Sequence, residues 1–129
     1  MFTFSTTTGQ LFNGSQYLAT GYSGFGAGKL NPEMENVANV GPLPRGTYTM
    51  EIIKGEDGLP CDYEGKKKPV IRLVPSSTNE MFGRAGFLMH GDSISDPGTA
   101  SHGCVIEDHG TREVVANAIT EGNNTLEVV

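Results

Sequence analysis

Alternating apolar and polar residues along the chain predict short β-strands separated by turns. The clearest pattern covers residues 47–53, where Tyr48, Met50 and Ile52 alternate with polar neighbours, as in a strand with one buried face. Four other short segments are rich in apolar or β-branched residues and predict further strands: 1–5, 70–74, 87–89 and 125–129. The pattern therefore favours a mainly β fold.

Turn signals divide these strands. Asn13-Gly14 lies between two apolar runs and predicts a hairpin with a type I′ turn, because both residues tolerate positive φ. Residues 21–31 contain four glycines and predict a loop. The proline and glycine residues of 41–46 end any helix that begins around residues 33–38.

One segment, residues 111–121, has a helical pattern. Val114, Val115, Ala118 and Ile119 fall on one face, and Gly122 is a typical helix stop. The chain shows no repeats or linkers, and 129 residues suit one domain. We therefore expect residues 1–129 to form a single mainly β domain, a β-sandwich or half-open barrel with one packed helix in its C-terminal half.

Charge and hydropathy exclude two classes of partner. The net charge is −6, and the single basic run, Lys66-Lys67-Lys68, is typical of a solvated hairpin tip, so nucleic-acid binding is not expected. The sequence has no apolar run of about 20 residues and no signal-peptide pattern, so no membrane segment is expected. We expect synthesis in the cytoplasm without a removable leader.

A histidine and a cysteine lie at the two ends of one predicted loop. An apolar strand leads to His90, and Cys104 precedes the next apolar pair. A thiol nucleophile needs a nearby base, and an imidazolium lowers the thiol pKa. Gly103 allows a sharp turn before the cysteine, so the N–H groups of Gly103 and Cys104 are candidate donors to an oxyanion.

The motif around these residues is similar to that of a known enzyme family. Ser101-His102-Gly103-Cys104, preceded by His90-Gly91, resembles the signature of the L,D-transpeptidases, the YkuD-like cysteine enzymes of bacterial peptidoglycan. Residues 41–48 match a second family segment, and residues 21–26 with Asn31-Pro32 resemble the small L,D-transpeptidase effectors of type VI secretion systems. Ile106 departs from the family pattern, which usually has Arg or Asn there to help hold the substrate carboxylate.

The resemblance implies a role for each residue of the motif. Cys104 is the nucleophile, His90 is the base and His102 orients the site, although the residues alone leave His102 open as the base. Two partners are candidates for orienting His90. One is Asp92, acting as a triad acid, and the other is the backbone carbonyl of Gly91, as the family implies.

The remaining residues of the region have supporting roles in this interpretation. We expect Ser101 to be a hydrogen-bonding prop, Cys61 to be an incidental thiol and His109 to be a surface residue before the helix. The residues expected beside the substrate are Tyr22, Ser23, Gly91 and Asp92. Zinc binding is a rival chemistry, but the histidines and cysteines lack zinc-site spacing, so we expect no metal and no cofactor.

The activity implied by the resemblance is cleavage of the meso-diaminopimelate–D-alanine bond of peptidoglycan stem peptides, or exchange of D-amino acids, through a Cys104 thioester. An effector of this kind would act in the periplasm of a target cell. Its expected partners are a cognate immunity protein and a spike or tube component of the secretion system. Two alternatives remain: an inactive module that binds peptidoglycan or a secretion partner, and a phage-derived lytic enzyme.

Overall fold

The structure is a computed structural model that describes residues 1–55 and 69–129. In this part of the chain, nine strands are present: β1 (Phe2–Phe4), β2 (Gln10–Asn13), β3 (Gln16–Thr20), β4 (Tyr22–Ser23), β5 (Gly46–Ile52), β6 (Ile71–Pro75), β7 (Leu88–His90), β8 (Val105–Ile106) and β9 (Thr125–Val128). They form one sheet in the order β3-β2-β1-β9-β5-β6-β7-β8-β4. The described helices are α1 (His109–Thr120) and two 3₁₀ turns, Gly26–Gly28 and Pro32–Met34.

The sheet curls back on itself because its two edge strands are consecutive in the chain. Only Gly21 separates β3 from β4, so the two edges must lie side by side, and the sheet is a nearly closed barrel. Gly21 donates its N–H to the carbonyl of Gly9 at 2.8 Å. A Cβ atom on Gly21 would lie 1.9 Å from the carbonyl oxygen of Ile106, so a larger residue does not fit at this join. The mainly β, half-barrel fold with one helix is confirmed.

Alternate residues of the strands fill the core. In β5, Tyr48 and Met50 are buried, whereas Thr49 and Glu51 are exposed. Burying a large apolar side chain contributes about 1.5–3 kcal/mol, so this alternation fixes which face of each strand points inward. The neighbouring strands contribute residues that are at most 2% exposed: Phe2, Phe4, Leu73, Met89, Val105, Leu126 and Val128.

Two predictions for the N-terminal part are wrong. Asn13 pairs with Gln16, so the hairpin loop is Gly14-Ser15, and only Gly14 has positive φ (58°), whereas a type I′ turn needs two such residues. The inward-facing Leu11 and a register shift next to it set this pairing. Within the predicted loop 21–31, Tyr22–Ser23 instead form β4, antiparallel to β8.

The predicted helix is present, and three residues of its predicted face are correct: Val115 is buried, and Ala118 and Ile119 pack against the core. It begins at His109, where the Asp108 side chain accepts the Thr111 N–H at 2.7 Å, and it ends before Gly122, which has a φ of 93°. Val114 is 47% exposed, contrary to the prediction. The inward-facing positions are Thr111, Arg112, Val115 and Ala116. The buried face extends to Arg112 in place of Val114, because Arg112 points inward to the backbone carbonyl groups of Pro69 and Glu107.

Two predicted features lie outside the described residues: Cys61 and the lysine run 66–68. Among the helices that the structure describes, none has the length and apolar character needed to cross a membrane.

Candidate active site

Two paired strands place His90 and Cys104 on one side of the sheet. β7 and β8 run parallel, with Met89 opposite Val105 and His90 opposite Ile106. Met89 and Val105 point into the core, so His90 and Cys104, each one residue away, point to the other face. His90 and Cys104 lie on adjacent strands and are offset by two residues, which puts their Cα atoms about 8 Å apart. An imidazole and a thiol side chain can bridge this distance.

Cys104 is half-buried at the start of β8. The Leu88 N–H donates to its Sγ atom at 3.4 Å. Burial raises the pKa of the Cys104 thiol, while the Leu88 N–H and the Arg84 charge act in the opposite direction. The thiol is therefore protonated near neutral pH. In the protein at rest, the positive charge that acts on the thiol is that of Arg84.

His90 is oriented by the backbone carbonyl of the next residue. Its Nδ1 atom lies 2.8 Å from the Gly91 oxygen. A carbonyl only accepts hydrogen bonds, so Nδ1 carries the hydrogen and Nε2 keeps a free lone pair. Burial lowers the pKa of His90, which keeps the ring neutral near pH 7. No hydrogen bond joins His90 to Cys104 in the described residues, a common state of catalytic pairs without substrate.

Asp92 organises the loop after β7 and does not bond to His90. It accepts hydrogen bonds from the Tyr22 hydroxyl at 2.6 Å and from the N–H groups of Ser93 and Gly98. Burial acts against its charge, but these hydrogen bonds outweigh burial and hold the pKa of Asp92 below its usual value. Burial and the bond to Asp92 raise the pKa of Tyr22 to about 12. Tyr22 also accepts the Ala100 N–H at 3.0 Å and so ties both ends of the loop together.

Two buried serines hold the backbone around Cys104 in place. Ser101 Oγ donates to the Cys104 carbonyl at 2.5 Å and accepts the N–H groups of Gly24 and Gly103. Ser23 Oγ donates to the Gly103 carbonyl at 3.0 Å. Both serines are 0% exposed. Ser101 is thus a prop as expected, whereas Ser23 supports the loop from behind and does not line a cleft.

The bond to Ser101 changes the candidate oxyanion donors. The Gly103 N–H donates to Ser101 Oγ at 3.2 Å and is occupied, contrary to the expectation. Within the described residues, the Cys104 N–H has no acceptor, so it is the donor that remains for an oxyanion.

His102 is exposed, and its ring is held away from the sulfur. Nδ1 lies 3.0 Å from the Asn39 carbonyl, and the ring stacks on Phe25 with centroids 5.3 Å apart. The contacts of His102 therefore fit a residue that fixes the loop around Gly103 better than a base.

The comparisons with known proteins agree with one part of the resemblance. Residues 18–129, from within β3 to the end of β9, match the family model of the Tlde1 domain. The chain belongs to the Tlde1 domain family. It is a type VI secretion effector domain, so the effector part of the resemblance is confirmed. No curated protein and no solved structure matches the chain.

Sequence reasoning missed one charged residue of the candidate site in this Tlde1 domain. Arg84 lies between β6 and β7, is 8% exposed, and donates to the His102 carbonyl at 3.1 Å. Its guanidinium group also stacks near Phe87, with its central carbon 5.2 Å from the ring centroid. Nothing local in Gly83-Arg84-Ala85-Gly86 distinguishes Arg84 from a solvated arginine.

The described part of the Tlde1 domain shows no cluster suited to a metal ion. Among residues 1–55 and 69–129, no three His, Cys, Asp or Glu side chains converge in a ligand arrangement. His109 begins α1 at the surface and contacts Glu113 at 2.6 Å, on a different element from β7 and β8.

Proposed function

We propose that this Tlde1 domain is a cysteine enzyme of the L,D-transpeptidase type that acts on peptidoglycan stem peptides. The observation that supports the proposal is the placement of Cys104 and His90 on the same face of two paired parallel strands, with Nε2 of His90 left free by the bond to Gly91. The substrate bond is the one between meso-diaminopimelate and the terminal D-alanine.

The charge states of the pair define the first step. A protonated thiol and a neutral imidazole transfer the proton as attack occurs, because neither group is charged beforehand. Nε2 of His90 takes the thiol proton while Sγ of Cys104 attacks the carbonyl carbon of the L-centre. The negative charge that forms on the carbonyl oxygen is stabilised by the Cys104 N–H.

The same histidine completes the reaction. The imidazolium of His90 gives its proton to the leaving amine, the bond to D-alanine breaks and a thioester remains on Cys104. Water then gives carboxypeptidase activity, and a free D-amino acid gives exchange. We propose these two outcomes over cross-linking because an effector that removes D-alanine weakens the wall of a target cell. The proposal includes action in the target periplasm and neutralisation by an immunity protein.

A muropeptide assay tests the proposal. Purified protein is incubated with tetrapeptide muropeptides, and D-alanine release is followed by chromatography and mass spectrometry. We expect Cys104→Ala to lose release completely while its melting temperature stays close to wild type, because one small half-buried side chain contributes little packing. Cys61→Ala, which removes the other cysteine of the chain, is the matched control and should keep full activity.

Two results would contradict the proposal. D-Alanine release by Cys104→Ala at the wild-type rate would remove the cysteine from the mechanism. Wild-type protein that sediments with sacculi but releases no D-alanine would favour the binding module.

A further inference from the structure

Arg84 is a buried cation held entirely by backbone carbonyl groups. Its Nη1 atom donates to the carbonyls of Glu35 at 2.6 Å and Pro42 at 2.8 Å. Its Nη2 atom donates to the carbonyls of Gly41 at 2.9 Å and His102 at 3.1 Å. All four hydrogens on these two nitrogens are thus used, so the guanidinium position is fixed by two separate parts of the chain.

No carboxylate in the described residues forms an ion pair with this guanidinium. Glu35 supplies its backbone carbonyl to Arg84, but its side chain pairs with Arg45 at 2.6 Å. An ion taken out of water without a counter-ion carries a cost of several kcal/mol, which carbonyl dipoles offset only in part. A buried arginine in this state therefore favours any negative charge that forms next to it.

Arg84 packs against Gly103, the residue directly before the proposed nucleophile Cys104. A Cβ atom on Gly103 would lie 2.6 Å from Nη2 of Arg84 and 2.5 Å from the Phe87 ring, so glycine is needed there for the guanidinium to approach. Gly103 also has a φ of 135°, which disfavours other residues. The charged and titratable groups that face Arg84 are Tyr48, Glu35 and Cys104.

We propose that Arg84 is a positioning residue that serves as the electrostatic partner of Cys104, stabilising the negative charge that develops at this position when the thiol gives up its proton. The inference deepens the proposed function, since it assumes that Cys104 is the nucleophile. The Nη hydrogens of Arg84 all donate to backbone carbonyl groups, so Arg84 would act on Cys104 through its charge and not through a hydrogen bond.

The direction of the electrostatic effect agrees with this placement. Burial raises the pKa of the Cys104 thiol and lowers the pKa of Arg84, and the charge of each group opposes that effect of burial on the other. If the Arg84 charge is removed, less opposes the effect of burial on Cys104. The pKa of the Cys104 thiol should therefore rise.

Titration of the thiol tests the proposal without any peptidoglycan substrate. Iodoacetamide alkylation of Cys104 is measured from pH 6 to pH 10 in a Cys61→Ala background. An opposite charge within about 4–6 Å shifts a pKa by at least about one. We therefore expect Arg84→Met to raise the thiol pKa by about one and to slow alkylation at pH 7 roughly tenfold. Arg45→Met removes an exposed arginine from the Glu35 pair and should leave the profile unchanged.

The lysine variant separates charge from support of the backbone. Arg84→Lys keeps the positive charge and loses the forked donors, so it should melt earlier but titrate within about 0.5 of the wild-type pKa. A folded Arg84→Met protein with the wild-type profile would overturn the proposal. If Arg84→Met does not fold, the thiol pKa of the Arg84→Lys protein tests the proposal instead. A rise of about one or more in that pKa overturns the proposal. D-Alanine release plays no part in this readout, so the two proposals fail separately.

Discussion

Glu107 provides a test of how burial controls ionisation in this barrel. The residue is 2% exposed, and neither carboxyl oxygen has a hydrogen-bond partner in the described residues. Gly21 packs against it, since a Cβ atom there would lie 2.6 Å from Oε1. Arg112 donates to the backbone carbonyl of Glu107 at 2.6 Å and to that of Pro69, and it does not pair with the carboxylate. We predict that Glu107→Gln stabilises the protein above neutral pH.

The magnitude follows from the pKa. Burial, then the charge of Asp108, raise the pKa of Glu107 from 4.5 to about 8, against the opposing charge of Arg112. Between these two values the folded state holds a proton that the unfolded state has lost. The free energy of unfolding therefore falls as the pH rises from about 4.5 to about 8 and is level above that range. A pKa difference of about 3.5 corresponds to roughly 5 kcal/mol, comparable with the whole stability of a marginal domain.

Urea denaturation at pH 5, 6, 7 and 8 measures this loss. Glutamine keeps the shape of the side chain and cannot ionise, so wild type and Glu107→Gln should be closest at pH 5. The variant should then gain several kcal/mol over wild type by pH 8. Glu33→Gln removes an exposed carboxylate and should give a difference that does not change with pH. Parallel pH profiles of wild type and Glu107→Gln would refute the reasoning.

Two further predictions concern the supports of the active site. Ser101→Ala should lower the free energy of unfolding by about 1–3 kcal/mol, because the N–H groups of Gly24 and Gly103 lose a buried acceptor. Urea denaturation measures this change, and a loss below about 0.5 kcal/mol would contradict the prediction. Tyr22→Phe should speed hydrogen exchange at the amide of Ala100, whose acceptor is removed, and leave β5 protected; unchanged exchange at Ala100 would contradict the described loop.

The sequence pattern correctly predicted features that depend on residues close to one another in the chain. The strand at β5 follows from the alternation of Tyr48 and Met50 with polar residues, because a strand with one buried face imposes this spacing. Gly122 ends α1 because a positive φ is a local requirement. The motif around Cys104 indicates a candidate site on the same local basis, since Ser101, Gly103 and Cys104 are near neighbours in the chain.

Features that depend on distant partners could not be predicted. β4 is two residues long and exists because β8 pairs with it across more than 80 positions. Arg84 is fixed by carbonyls of residues 35–42 and of His102, none of which its own neighbours indicate. Val114 was misassigned to the buried face of α1, because Arg112, a polar residue, takes an inward position there. Ser23 was misassigned because burial of a serine depends on a partner 80 residues away.

The placement of β9 inside the sheet determines when the barrel can close. This strand lies between β1 and β5, and the Thr6 hydroxyl bonds to a carbonyl 123 residues later in the chain. Contacts across such separations form slowly, because a long loop must be ordered before they add stability. A chain emerging from the ribosome therefore cannot complete its sheet until residues 125–128 have been made. β9 then joins β1 of the N-terminal hairpin to β5, so the sheet that carries the candidate site is completed last.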